Sequence, residues 1–270
     1  NEDLKTGQFK QIYLLYGEEA YLKKLYKNRF VKAMVPEGDT MNYRYFEGKN
    51  TNPKEIIDLA ETLPFFAERR LIVLENTGFL KNATPELAEY LKNMPETTYM
   101  IFVESELDKR GKLYKAIKEK GHIVELKRQD EKTLMRWAAG ILAREGRKIT
   151  TRDMELFLTK TGTDMGNIRM ELEKLITYTM GQDIVTREDI EEICTTRTEN
   201  KIFDMVRAVT ERNQRRALDL YNDLLTLREP PMRILFLLSK QFRQMCLAKK
   251  MAGEGASQNE IATRLGVPSF

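Results

Sequence analysis

Across the first 128 residues, short runs rich in β-branched and aromatic residues alternate with longer stretches of helical spacing. The runs are Ile12 to Tyr16, Asn42 to Phe46, Leu71 to Leu74, Tyr99 to Val103 and His122 to Leu126. Helical stretches of roughly 10 to 18 residues between such runs predict βαβ units, because parallel strands need long crossovers. The runs Leu71-Ile72-Val73-Leu74 and Met100-Ile101-Phe102-Val103 are apolar at every position. That pattern predicts central strands covered on both faces. The expected N-terminal domain, residues 1–128, is therefore α/β with a five-stranded, mainly parallel sheet.

After Lys127 no run of comparable strand strength returns, and the remainder reads as helix. Asp130 is placed to cap a helix reaching about Arg144, with Leu134, Ala138, Ile141 and Leu142 as its apolar stripe and Gly146 as its stop. Thr150, with Asp153 three residues on, opens another. Asp164 starts a third, carrying Ile168, Leu172, Leu175 and Ile176 and ending before Gly181, and a short fourth starts at Thr186. These four predict a small helical domain, residues 129–198.

Longer amphipathic helices follow: about 201–211, then 213–227 from Asn213, then one from Pro230-Pro231 to near Gly253. The last carries Met232, Ile234, Leu235, Leu237, Leu238, Phe242, Met245 and Leu247, too wide an apolar load for one stripe. It should pack on two sides, in a bundle or against a neighbouring subunit. A short helix from Ser257 to Leu265 precedes the last residue, Phe270, so the third domain, residues 199–270, reads as a bundle cut short.

A chain of 270 residues, 41% hydrophobic, suffices for two or three domains. No stretch of about 18 apolar residues is present, and Asn1-Glu2-Asp3-Leu4-Lys5 lacks the layout of a signal peptide, so a cytoplasmic protein off the membrane is expected. Cys194 and Cys246 are far apart, with no CxxC or Cys/His spacing; reduced, structural thiols and no metal are expected. The single histidine, His122, opens a strand, and without a second histidine no His-based triad can be assembled. Trp137 is expected to pack in the first helix of the small helical domain. Charge is high but balanced, 45 Lys+Arg against 41 Asp+Glu, a weak pointer to nucleic acid at best.

Where a phosphate-binding loop should follow the first strand stands Gly17-Glu18-Glu19-Ala20-Tyr21-Leu22-Lys23-Lys24. A working loop ends Gly-Lys-Ser/Thr and cradles phosphates with backbone N–H groups and the lysine. Here only Gly17 is kept. Glu18 and Glu19 stand where triphosphate oxygens would lie, and Tyr21 and Leu22 occupy positions that need glycine and lysine. Charge repulsion and bulk both oppose nucleotide. No catalytic residue and no cofactor are expected. Glu75, ending Leu74-Glu75-Asn76, resembles a metal-binding strand end only loosely and is read as structural.

An α/β domain with a disabled phosphate loop, then a helical lid, then a helical collar is the order of parts in clamp-loader subunits of the AAA+ (RecA-type) class. Local matches narrow this: Tyr13-Leu14-Leu15-Tyr16-Gly17-Glu18-Glu19 with Tyr21-Leu22; Pro64-Phe65-Phe66-Ala67-Glu68-Arg69-Arg70-Leu71; and Gly162-Thr163-Asp164 with Glu171-Leu172-Glu173-Lys174-Leu175. Together they resemble the delta subunit of bacterial DNA polymerase III over essentially the whole chain. The resemblance implies a clamp-loader wrench: a subunit of a DNA polymerase holoenzyme that binds the sliding clamp and opens its ring for loading on primed DNA. It hydrolyses no ATP itself. It further implies that Phe65 and Phe66, with Leu63 and Pro64, form the clamp-binding turn, a leucine standing in the familiar version where Phe65 is here. It also implies other loader subunits as partners through the collar.

The residues agree with that assignment. Pro64 stops the preceding helix, and two adjacent phenylalanines on a turn cannot readily both enter one core. Packing of both beneath the sheet is the competing reading. Lys109, Arg110, Lys112, Lys115 and Lys118 follow the fourth strand, with Lys112, Lys115 and Lys118 on one helical face. Such a face can meet DNA phosphates, or be only a solvated surface. An alternative function, a DNA-binding regulator, comes from Ser257 to Ala262 with Leu265-Gly266-Val267, which resemble the start of a helix-turn-helix. Pro268 falls where the recognition helix would begin, and the serine with Glu260 is equally a plain capping box. An ATP-driven enzyme with an unusual phosphate site is the third reading, and ATP binding by the isolated chain would support it.

Overall fold

The computed structural model describes residues 2–194 and 198–266, with the side chains of all of these except 198–200 and 203. Two compact units result, Asn1–Asp130 and Glu131–Phe270.

In the first unit, β1 (Ile12–Tyr16), β2 (Tyr43–Glu47), β3 (Arg70–Glu75), β4 (Thr98–Glu104) and β5 (His122–Glu125) form one sheet in the order β2-β3-β4-β1-β5. Every pairing is parallel. The β1, β3 and β4 runs are buried along nearly their whole length, as expected for strands covered on both faces. Residues of one parity, among them Ile12, Leu14, Ile72, Leu74, Met100 and Phe102, pack with α3 (Pro53–Glu61), α4 (Pro85–Tyr90) and α5 (Lys112–Lys120). The other parity, Tyr13, Leu15, Leu71, Val73, Ile101 and Val103, meets Phe30 and Met34 of α2 (Ala20–Met34), with Leu4 of α1 (Glu2–Thr6) alongside.

The second unit holds α6 (Glu131–Arg144), α7 (Thr151–Thr161), α8 (Met165–Tyr178), α9 (Arg187–Ile193), α10 (Thr198–Thr210), α11 (Gln214–Thr226), α12 (Pro231–Gly253) and α13 (Gln258–Leu265). Among the predicted caps, Thr150, Asp164, Thr186, Asn213 and Ser257 each accept a first-turn backbone N–H. The expected stripe of α6, Leu134, Ala138, Ile141 and Leu142, is buried. Contrary to its sequence pattern, this unit is not all helix. β6 (Lys148–Ile149) and β7 (Ile184–Val185) pair in parallel. Ile202, Met205 and Val206 of α10 close a small core with Leu224 and Ile234. Along α12 only Ile234 is buried, whereas Met232, Leu235, Phe236, Phe242, Met245 and Leu247 stay exposed. Its apolar load therefore packs on one side within this chain. Val267 and Pro268, which enter the helix-turn-helix reading, lie outside the described residues.

Candidate protein-docking site and the filled nucleotide crevice

In open parallel sheets, ligands bind outside the carboxyl ends of the strands. Here that edge is filled from within. Gly17 has φ +121, and a Cβ on it would lie 2.4 Å from the Leu126 carbonyl oxygen. The close approach lets the Glu19 N–H donate to that same carbonyl at 3.0 Å. Glu19 is buried, and its carboxylate accepts the Tyr21 N–H at 3.2 Å, capping α2. The helix N-terminus that would bind phosphate is thus occupied by the chain's own anion. Glu18 was expected beside it. Instead it is exposed, with its carboxylate 3.5 Å from Arg128 Nε.

Lys23, one turn into α2, is buried and donates to Ser105 Oγ at 2.9 Å and to the Glu104 carbonyl at 3.4 Å. Loss of water lowers its pKa, against the pull of Glu75, Glu104 and Glu19. Glu104, at the end of β4, is also buried, and its Oε1 accepts the Thr77 hydroxyl at 2.8 Å, the Thr77 N–H at 3.0 Å and the Gly78 N–H at 3.2 Å. Burial nonetheless pushes its pKa up. Glu75 pairs with Lys27 and accepts the Tyr45 hydroxyl at 2.9 Å. The carboxyl edge is a closed polar network. Lys23 and Glu104 were not singled out by the sequence, where a buried charge looks like any surface charge.

The opposite, amino edge of the same sheet carries the turn 63–66. Asn52 caps α3 with Pro53 in its first turn, and the Thr98 hydroxyl pins the helix end by donating to Ala60 O at 2.8 Å. Pro64 follows and the chain cannot continue as helix. Leu63, Phe65 and Phe66 are 78%, 56% and 95% exposed. Both phenylalanines therefore project from the surface rather than packing beneath the sheet. Their rings meet edge to face, centroids 4.6 Å apart. Phe66 has φ +48, a left-handed conformation that costs a bulky residue about 1 kcal/mol or more.

Polar groups hold this turn from below. Asn42 is buried, accepts the Phe65 N–H at 2.6 Å and donates to the Phe65 carbonyl at 2.9 Å. Arg70, also buried, donates to the Leu63 carbonyl at 2.9 Å and to the Met41 carbonyl at 3.4 Å, while its Nε has no partner. An exposed apolar pair on a strained, firmly held turn contributes nothing to the core. Strain and exposure of this kind mark binding sites.

The basic cluster divides. Lys109 lies 3.7 Å from Glu125 and over the Tyr16 ring, and Arg110 is bonded to Asp108 at 3.0 and 3.1 Å. Lys112, Lys115 and Lys118 are exposed on α5, with Lys112 and Lys115 bordering a groove that also holds Lys92, Glu89 and Glu119. His122 is exposed and its ring is 6.2 Å from that of Tyr13. Both cysteines are free thiols; burial, then Glu171, pushes Cys194 up to about 12. Among the described residues no three His, Cys, Asp or Glu side chains gather as a metal site, and no helix is long and apolar enough to cross a membrane.

An all-parallel five-stranded module with this strand order, whose first turn lacks a Gly-Lys-Ser/Thr ending and whose crevice holds its own carboxylate and lysine, is an AAA+-like module. The chain belongs to the DNA polymerase III delta-subunit family: residues 13–127 match the model for "DNA polymerase III, delta subunit" and residues 199–270 that for its C-terminal domain. DNA polymerase III subunit delta of Bacillus subtilis is 28% identical over 281 residues, covering 100% of this chain and 81% of that one. The probable counterpart from Aquifex aeolicus is 23% identical, covering 95% and 76%. The solved structure of the Bacillus subtilis DNA clamp loader delta protein aligns with TM-score 0.71 at 28% identity, over 100% of this chain and 83% of that one.

Proposed function

We propose that this chain is the clamp-opening subunit of its polymerase's loader: it docks on the sliding clamp through Leu63, Pro64, Phe65 and Phe66 and pries the ring open without hydrolysing ATP. One observation carries the reading, the phenylalanine pair exposed on a held and strained turn at the edge opposite the plugged crevice. Each ring desolvated in a partner's pocket contributes roughly 2 kcal/mol or more.

On this reading a lid, residues 129–198, and a collar, residues 199–270, follow the α/β domain, and the exposed apolar face of α12 meets other loader subunits in the cytoplasm. Lys112, Lys115 and Lys118 face primed DNA in the assembled complex. Lys109 and Arg110 contribute less there because Glu125 and Asp108 neutralise them locally.

The test is surface plasmon resonance over the cognate sliding clamp, comparing the parent with a Phe65→Ala, Phe66→Ala variant that remains folded by circular dichroism. Binding lost in the variant supports the reading. A parent that does not bind clamp overturns it, and equal binding by both moves the site elsewhere.

A further inference from the structure

Asn42 has every polar group engaged at the amino edge of the sheet. Its backbone N–H donates to Asp39 Oδ1 at 2.9 Å, and its backbone carbonyl accepts the Leu71 N–H at 2.8 Å, which ties the residue before β2 to the start of β3. Its side-chain amide donates to Asp39 Oδ2 at 2.8 Å and to the Phe65 carbonyl at 2.9 Å, and it accepts the Phe65 N–H at 2.6 Å. The amide thereby bonds Phe65 on both backbone groups, as a neighbouring strand would, from a residue 23 positions away.

Asparagine is specified here by chemistry as well as size. The site needs one acceptor and two donors on a short, flat group. An aspartate would supply no donor and would set a second carboxylate against Asp39 and a lone pair against the Phe65 carbonyl. Asp39 in turn accepts the Met41 and Asn42 N–H groups, and the Asn42 amide, foremost among these contacts, holds its carboxyl below the ordinary range. The 39–42 turn is thus a closed, pre-formed seat.

What the seat supports has little packing of its own: an exposed aromatic pair with Phe66 at positive φ. Left to itself, such a turn relaxes toward conformers that fold the rings onto the surface. Only the fraction of molecules holding the competent conformer can bind, so apparent affinity falls with that fraction. We propose that Asn42, braced by Asp39, is a positioning residue that pre-organises Phe65 and Phe66 for docking, and this rests on the clamp-docking reading above.

The experiment uses the full chain and its cognate clamp. Amide hydrogen exchange is read at Phe65, and binding kinetics are read for the parent, Asn42→Ala, Asn42→Asp and Asp39→Ala, each alone and with Phe66→Ala. In the parent, the Phe65 amide should be protected although its side chain is exposed. Asn42→Ala and the near-isosteric Asn42→Asp should each release that protection and weaken binding roughly five- to thirtyfold, mainly through slower association. Asp39→Ala, which leaves the buried side chain in place, should act in the same direction but less, and it serves where an Asn42 variant does not fold. With Phe66→Ala already present, each of these changes should weaken binding by a smaller factor, because only Phe65 is left to position.

Clamp binding unchanged in the Asn42 variants overturns the proposal, as does an equal loss in the Phe66→Ala background, which would mark a general structural effect. An unprotected Phe65 amide in the parent overturns it independently of any clamp. A parent that exchanges as expected yet binds no clamp overturns the docking reading, and the positioning role falls with it.

Discussion

The Thr77 hydroxyl donates to the buried carboxylate of Glu104 at 2.8 Å, and the Thr77 and Gly78 N–H groups converge on the same oxygen. One acceptor thus satisfies three donors at the end of β4, which makes the carbonyl character of residue 104 more important than its charge. Glu104→Ala should cost about 2–4 kcal/mol by stranding those donors, whereas Glu104→Gln, which keeps an acceptor oxygen, should cost less than half as much. The sign with pH follows from the raised pKa. A carboxyl that holds its proton more tightly when folded stabilises below its unfolded value, and loses that contribution as pH rises through the folded value. Urea midpoints taken upward from about pH 4 should therefore fall in the parent relative to Glu104→Gln. A parallel pair of curves would mean that the group is not protonated more readily in the fold.

Lys23 is the neighbouring case. Its burial lowers the pKa, so the folded chain binds its proton less tightly than the unfolded chain does, and its contribution is recovered only as pH rises toward the ordinary lysine range. At neutral pH the charged form carries a desolvation penalty. Lys23→Met should leave stability within about 1 kcal/mol of the parent or above it, with clamp binding intact. A loss of several kcal/mol in a thermal or urea melt would show instead that the contacts to Ser105 and the Glu104 carbonyl outweigh desolvation.

Glu19 supplies the cap of α2 that a phosphate would otherwise provide. Glu19→Ala should cost about 1 kcal/mol in a urea melt, and Glu19→Asp should retain most of it. The same occupancy predicts that Mg-ATP does not stabilise the parent. A site of micromolar affinity would add roughly 4 kcal/mol at about 1 mM nucleotide, an unmistakable rise in Tm. Such a rise would mean that Glu19 can be displaced from the helix end.

How much of this was legible beforehand depends on the range over which each feature is encoded. β1, β3 and β4 were readable because β-branched and aromatic residues run together there, and the Glu19 region was readable because a phosphate loop has fixed residue requirements. The pattern places β2 one residue early: Asn42 sits just before that strand, and its side chain is committed to Phe65. β6 and β7 have two residues each, too short for any period to register. The exposure of Phe65 and Phe66 followed from Pro64 and their adjacency. The seat beneath them did not, because Asn42, Arg70 and the turn meet only in the folded chain. Asp39 spaced three residues before Asn42 does predict a local turn, but nothing local names its long-range partner.

For the basic face of α5, charge alone does not distinguish a DNA contact from a solvated helix; the salt dependence of binding does. Replacing Lys112, Lys115 and Lys118 by Gln should leave clamp binding unchanged. In the assembled loader it should lower the slope of log affinity for primed duplex against log salt by about 2–3, near the value for losing three phosphate contacts. An unchanged slope assigns these lysines to solvent.

The sharpest separation of stability from function falls at Phe66. Its side chain is 95% exposed, so little burial is lost on replacing it, while its backbone at φ +48 is disfavoured for phenylalanine and readily adopted by asparagine. Phe66→Asn gives up the edge-to-face contact with Phe65 but relieves the backbone, and should raise stability by roughly 0.5 kcal/mol. The same change removes an aromatic anchor and should weaken clamp binding by about thirtyfold or more. Opposite signs in a urea melt and in clamp-binding kinetics would show that this position is kept strained for docking. If Phe66→Asn lowers both together, the ring contributes to the fold itself, and the turn is structural rather than a docking element.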